Sequence, residues 1–459
     1  MLKKNISFSS IILIGALIFQ VSIIPDSLNI RSIGRIVNIV ILLILFSLLI
    51  WTLRHKESKK TILFYKLPII IILVGYSINL IRSVDINSPG IVSIMLPWLA
   101  AITIPYVGSY SIEKSWRIFY SFMLITTIIS LIEYYAVFNG FLTPSLIETS
   151  RGNYLKGVIS IFYPTQGGDI PHHRFYGVFA EPGTYAMFLL PALTYALLFS
   201  KKLAALIFIL AMYLTYSLGG FLGTCLLIIF YLLWERKRLY HSVPGIYYAG
   251  LFIVSLMLTI SFYYYYSNIE HNLSNYYYYE LEHRKESISI REKNVISFIH
   301  KFSYSLMKYP FGFELNKQTL LNIESKEDYY GSNFMFYNAL VLGGILGFLG
   351  YFMFFLSAGY FSIKYFFSRH NPNRLTACVF ITLPVLLTFC FQRTTILESM
   401  LFSFLFAAPL LEMIHGKSPS YGNIIQEHHM PIRPCLQNQG ICRDKADVPR
   451  LLGEVPVRR

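Results

Sequence analysis

Residues Pro171 to Leu193 read "PHHRFYGVFAEPGTYAMFLLPAL". His172, His173, Arg174 and Glu181 crowd its first half, and beyond Pro182 the chain turns apolar. Proline at that point fits the first turn of a helix, because its ring presets φ and its missing N–H is not needed there. Glu181 then sits at a helix N-terminus, where the dipole favours its charge. Whether the helix is a buried core element or a membrane span depends on what surrounds it.

The surroundings point to the membrane. Of 459 residues 55% are hydrophobic and 14% charged, a balance far from that of a soluble globular chain. Apolar runs of about 17 to 25 residues, each long enough to cross roughly 30 Å of hydrocarbon as a helix, recur from Ser7 to Ile414. Twelve spans are expected, Ser7 to Ile24 the first and Met400 to Ile414 the last. The seventh and eighth share one apolar block, Leu203 to Trp234, with a turn expected at Gly219-Gly220. The fold class is therefore all-α and polytopic, with residues 1–414 forming one membrane-embedded domain. The polar tail, residues 415–459, has prolines and no periodicity and is expected to be disordered.

Lysine and arginine collect in short loops: Lys3-Lys4, Arg54 to Lys60, Glu113 to Arg117, Lys201-Lys202, Glu235 to Arg238 and Lys364 to Arg374. In a twelve-span count these all fall on one side, which the positive-inside rule makes cytoplasmic, with both termini. The formal charge of +15 is thus mostly a topology signal and requires no nucleic acid. The first apolar run lacks a cleavage-type site and leads into another span, so it reads as an anchor. Five scattered cysteines suggest no disulfide framework, and "EHHMPIRPC" in the tail matches no zinc spacing, so neither metal nor cofactor is expected.

Two long connections fall on the other side, Asn139 to Pro182 and Ser267 to Ser332. The first holds the quoted stretch. Its bland account is that Glu181 and Thr184 cap a helix, Arg174 pairs with lipid headgroups and the histidines are solvated; Gly177 adds a tight backbone approach that capping does not need. The second is longer than a plain connector. It opens with two runs of four tyrosines, Tyr263 to Tyr266 and Tyr276 to Tyr279, the first suited to an interfacial belt and the second able to stack on sugars. Ile288, Val295, Ile299, Phe302 and Leu306 then recur at helical spacing, and Arg291 shares their face. Buried beside that stripe, a guanidinium needs an anion or must snorkel. The helix stops at Tyr309-Pro310 and turns through Phe311-Gly312, another place for close backbone approach.

Arg174 and Arg291 thus lie in separate loops on one side. Guanidinium binds phosphate oxygens bidentately and does not deprotonate, so a lipid-borne phosphate or diphosphate is the simplest shared ligand.

In local pattern and topology the chain resembles the O-antigen polymerase and O-antigen ligase superfamily, the polysaccharide repeat-unit polymerases of bacterial membranes. "RFYGVFAEPGTYAMF" resembles its R-x-x-G before a Pro-Gly helix start, and "YSLGGFLGT" its S-x-G-G region. "REKNVISFIHKFSYSLMKYPFGFE" resembles its arginine followed by P-x-G, and "SNFMFYNALVLGGILG" its late Gly-rich span. The resemblance implies an undecaprenyl-diphosphate-linked oligosaccharide substrate and glycosyl transfer at the outer face of the cytoplasmic membrane, without nucleotide sugar, cofactor or metal. It implies a polysaccharide chain-length regulator and a flippase as partners, besides membrane lipids.

The chain departs from the family pattern twice. Ligases typically have histidine where Ser332 precedes Asn333, which argues for polymerase over ligase. Leu218 stands where the family often has arginine after serine, which leaves that segment without a role. On the polymerase reading Arg174 and Arg291 hold the diphosphate, and Glu181, then His173 and His172, are the candidate general bases for the acceptor hydroxyl. Partial burial of Glu181 would raise its pKa toward that task. A flippase or transporter for the same lipid-linked glycan is the main non-enzymatic rival; it would call for mid-span charges or broken helices.

Overall fold

The computed structural model describes residues 8–18, 40–41, 43–50, 58–82, 89–107, 110–149, 152–162, 174–179, 181–239, 307, 310–312, 335–367, 374–391 and 399–415. His172, His173, Arg291, both tyrosine runs, the Ile288 to Leu306 helix, the span expected at Pro244 to Tyr265 and the tail after His415 lie outside the described residues. By packing the chain divides into Met1–Gly422 and Asn423–Arg459, and every described residue belongs to the former.

The described chain is largely helical. Its helices are α1 (Phe8–Ala16), α2 (Lys59–Arg82), α3 (Pro89–Thr103), α4 (Ile112–Phe138), α5 (Pro182–Leu198), α6 (Lys202–Leu214), α7 (Leu218–Leu239), α8 (Met335–Phe367), α9 (Arg374–Thr388) and α10 (Met400–Ile414). Residues 43–50 are helical too. Among the described residues three helices are long and apolar enough to cross a membrane: Lys59–Arg82, Ile112–Phe138 and Met335–Tyr365.

Helix α4 shows why the bundle belongs in lipid. Thr126, Thr127, Ser130 and Glu133 are buried, while Ile125, Ile129 and Ile132 face outward, Ile132 with 63% of its surface exposed. Polar side chains inside and branched apolar ones outside invert the pattern of a water-facing helix. The architecture is that of a membrane-associated protein.

Helix α5 lies at the centre. Only Thr184 and Leu197 among its residues escape burial, as expected of a helix that is apolar all round. Against α4 it runs antiparallel: Tyr185 bonds Thr127 at 2.6 Å, and farther down Tyr195 stacks on Trp116. Helix α7 packs on α5 in parallel, because Gly220 meets Ala186 and Gly223 meets Leu190. Helix α9 returns antiparallel, with Thr382 bonded to Thr194 at 3.0 Å and Phe389 beside Gly223.

A second antiparallel pair is α2 with α8. Asn79 Nδ2 donates to Leu342 O at 2.8 Å near one end, and Ser357 Oγ donates to Phe64 O at 2.7 Å near the other. Between them Gly75 abuts Gly343 and Gly347, the close backbone approach that small residues permit between membrane helices.

Both α2 and α10 contain a π-helical turn, at Ile62–Lys66 and Ser403–Ala407. Such a widening leaves a carbonyl short of its helical partner, and in lipid a neighbour must supply the donor. Ser357 does so for Phe64, while Tyr110 Oη and Trp116 Nε1 donate to Phe404 O at 2.9 Å and Leu405 O at 3.2 Å. Tyr110, in the loop before α4, titrates above the ordinary tyrosine range because burial and the nearby Glu412 charge both disfavour phenolate.

The structure adds one feature and corrects one expectation. The first long connection carries a three-stranded antiparallel sheet, β1 (Ser145–Thr149), β2 (Gly152–Lys156) and β3 (Ile161–Phe162), paired Ser145 to Lys156 and Leu155 to Phe162. The turn between α6 and α7 is made by residues 215–217, with Tyr216 at φ 48°, rather than at Gly219-Gly220. Gly220 is needed inside α7, because a Cβ there would lie 2.5 Å from that of Ala186.

Candidate functional site

Arg174 lies on a short strap, residues 174–179, between the sheet and the start of α5. Hydrogen bonds hold the strap on two sides. Phe175 N donates to Leu214 O at 2.9 Å, and Arg174 Nε donates to Thr215 O at 3.3 Å, so the strap uses carbonyls left open at the C-terminus of α6. On its other side Ile161 N of β3 donates to Gly177 O at 3.1 Å. Arg174 is half-buried, its position set by the backbone on both sides.

Gly177 has φ 57°, and a Cβ there would lie 2.8 Å from the Tyr185 ring. The tight approach expected at this glycine is therefore to the protein's own aromatic. Tyr185 is fully buried, stacked on Phe179 with centroids 5.1 Å apart, and hydrogen-bonded to Thr127. The strap is seated on a ring that α4 and α5 hold jointly.

Glu181 stands at the N-cap of α5 in extended conformation, with Pro182 at the first helical position. Its side chain accepts no N–H from the helix; Thr184 Oγ1 donates to Glu181 Oε2 at 3.4 Å. The carboxylate is exposed, so the partial burial expected from the sequence is absent. That leaves it accessible from solution at the end of the bundle where Arg174 lies.

Gly312 marks the second loop. With φ 87° it sits against Val341 O, Asn79 Nδ2 and Gly344 N, again a close approach within the protein. It follows Pro310, whose carbonyl accepts from Ile345 N at 2.9 Å where α8 is broken at Gly344. Arg82, the last residue of α2, stands over the Phe311 ring at 5.6 Å. The structure thus fixes the Pro310 to Gly312 turn to the α2–α8 pair at the end where α2 finishes and α8 begins.

One residue missed as a site feature is Glu133, five residues before the end of α4. It is 5% exposed, and its carboxylate accepts from three consecutive backbone amides: Val158 at 3.0 Å, Ile159 at 3.0 Å and Ser160 at 3.0 Å. Successive N–H groups converging on one anion form a nest. Gly157 is forced by the same geometry, since any Cβ would overlap Glu133 Oε2. The signal in the sequence was a lone carboxylate in an apolar helix. Its partners, being backbone amides, leave no mark on the sequence.

Among the described residues no group of three or more His, Cys, Asp or Glu side chains is placed to hold a metal ion. No family model matches the chain, and no curated protein matches it.

Proposed function

We propose that this protein polymerises undecaprenyl-diphosphate-linked oligosaccharide repeat units into a surface polysaccharide, by glycosyl transfer at the outer face of the bacterial cytoplasmic membrane. In that reaction the bond between an anomeric carbon and the lipid diphosphate breaks, and a bond from that carbon to a hydroxyl of the acceptor unit forms. The hydroxyl proton passes to a base, and the lipid diphosphate leaves with the bonding pair.

The observation that carries this reading is Arg174. A guanidinium held by its strap, at the same bundle end as an exposed carboxylate-bearing helix start, is a preorganised cation. Arg174 and Arg291 would hold the diphosphate and stabilise the charge that builds on it. Glu181 is the first candidate base, followed by His173 and His172. The exposure of Glu181 suits an acceptor arriving from solution.

Sidedness supports the same reading. Lys59, Lys60, Lys114, Arg117, Lys201, Lys202, Lys364 and Arg374 all fall at the other end, where α2, α4, α6 and α9 begin and α8 finishes. Excess basic residues mark a cytoplasmic face, which would place Arg174 and Glu181 outside and suit twelve spans with both termini inside. A ligase-type transferase would use the same groups with a different acceptor. A chain-length regulator and a flippase are the partners this function calls for.

The test is to replace Arg174, Arg291 and Glu181 singly and follow glycan length on a gel together with membrane abundance. Loss of polymer with single repeat units accumulating is the expected result; full-length polymer from both Arg174→Ala and Arg291→Ala at normal abundance would refute the diphosphate site. The break in α8 at Gly344 favours a second reading, a flippase for the same lipid-linked glycan, since interrupted helices are common in transporters. Deletion separates the two: single repeats accumulate outside the membrane for a polymerase and inside for a flippase.

A further inference from the structure

We propose that Glu133 is a positioning residue for Arg174, acting through the β3 turn, and that the nest around its carboxylate sets where the guanidinium stands. The inference rests on the polymerase reading for its functional consequence and on geometry alone for its structural one.

The connection runs through hydrogen bonds along one continuous path. Glu133 draws Val158, Ile159 and Ser160 onto α4, and Gly157 N closes the turn on Ser160 O at 2.9 Å. The next residue, Ile161, donates to Gly177 O, and its side chain packs with Tyr154 and Tyr176 in a small buried cluster. Gly177 is three residues from Arg174 and is pressed on Tyr185. The strap is therefore gripped from α6 on one side and from the Glu133-held turn on the other.

A residue serving only to close a turn would not need to be charged or to come from a membrane helix. A serine or asparagine within the loop would cap those amides locally. Here the acceptor comes from α4, so the turn is registered to the same helix that hydrogen-bonds Tyr185 through Thr127. Both supports under the Arg174 strap, the turn and the ring, are thereby referred to α4. Release of the turn would remove the β3 bond at Gly177 and leave the strap held by α6 and seated on the Tyr185 ring, so that Arg174 can shift relative to Glu181.

Two variants test this in the full-length protein in detergent or nanodiscs. Glu133→Gln keeps the shape and removes the charge; Gly157→Ala drives a methyl into the carboxylate and displaces the turn without touching α4. In hydrogen exchange, losing bonds to a charged acceptor should raise local opening about tenfold or more at residues 157–162 and 174–177, with α5 unchanged. Faster exchange at 157–160 with 174–177 unaltered would overturn the coupling.

In cells, each variant should shorten the polymer at normal abundance. Combined with Arg174→Lys, which keeps the positive charge and is expected to leave shortened polymer, Glu133→Gln should add no further loss, because its effect passes through the arginine. An additive loss would show a merely structural role and overturn the proposal. If Arg174→Ala alone leaves the polymer intact, the diphosphate role given to Arg174 fails, and the exchange data still decide whether Glu133 sets the strap.

Discussion

Ile345 N donates to Pro310 O at 2.9 Å, and this bond fills the gap that Gly344 opens in α8. Gly344 has φ 61° and ψ −155°, a region that essentially only glycine occupies, so the helix changes course and its next amide must find a partner outside it. The Pro310 to Gly312 turn supplies that partner. An alanine at 344 would be strained by about 1–3 kcal/mol, and its Cβ would also overlap Pro310 O and Phe311. Gly344→Ala should therefore lower membrane abundance several-fold and depress the unfolding temperature in detergent. Gly359→Ala in the same helix is the control: its nearest neighbour, Leu387, would be 3.7 Å away, and abundance should stay at the wild-type level. Equal behaviour of the two variants would contradict the role given to the break.

Gly177 combines two constraints that can be separated. Alanine there meets the left-handed backbone penalty of roughly 1–2 kcal/mol, and its methyl meets the Tyr185 ring. Trimming the ring in a Tyr185→Ala background removes the second cost and leaves the first. Thermal unfolding should show Gly177→Ala to be less destabilising in that background than in the wild type. An unchanged cost would mean that the ring does not limit the approach.

The helical, membrane-associated character could be read from apolar run length, because hydropathy is a property of local composition. Helix α4 begins at Ile112, ahead of its apolar stretch, since Ser111 Oγ accepts from Lys114 N and carries the helix beyond it. The break in α8 was not legible: in "LVLGGILG" two glycines read as close packing, and only Pro310, far back in the chain, makes one of them a hinge. The Glu133 nest was hidden for a similar reason. Three amides can belong to any residues, so the carboxylate showed in the sequence and its partners did not. Arg174 and Glu181 stood out as charges at a doorway, but the burial of one and exposure of the other depend on α6 and on Pro182 rather than on the residues themselves.

The Thr127–Tyr185 bond joins α4 to α5 inside the bundle. Buried hydroxyl pairs between membrane helices couple by about 0.6–2 kcal/mol. A double-mutant cycle with Thr127→Val and Tyr185→Phe, read by unfolding in detergent, should return a coupling in that range. Zero coupling would show that each hydroxyl finds another partner once the first is removed.

The two ends of the bundle should lie on opposite sides of the membrane. Phe141 and Val158 follow the C-terminal end of α4 and are exposed, while Lys59 and Lys201 precede α2 and α6 at the other end. With the five native cysteines replaced, single cysteines at these four positions report the sides. A membrane-impermeant maleimide added to intact cells should label Phe141→Cys and Val158→Cys, and should reach Lys59→Cys and Lys201→Cys only after permeabilisation. The physical ground is the charge asymmetry: lysines that must stay in the cytoplasm fix the orientation of the helices they precede. The opposite labelling pattern would put Arg174 and Glu181 on the cytoplasmic face, where an externally assembled polysaccharide could not be built.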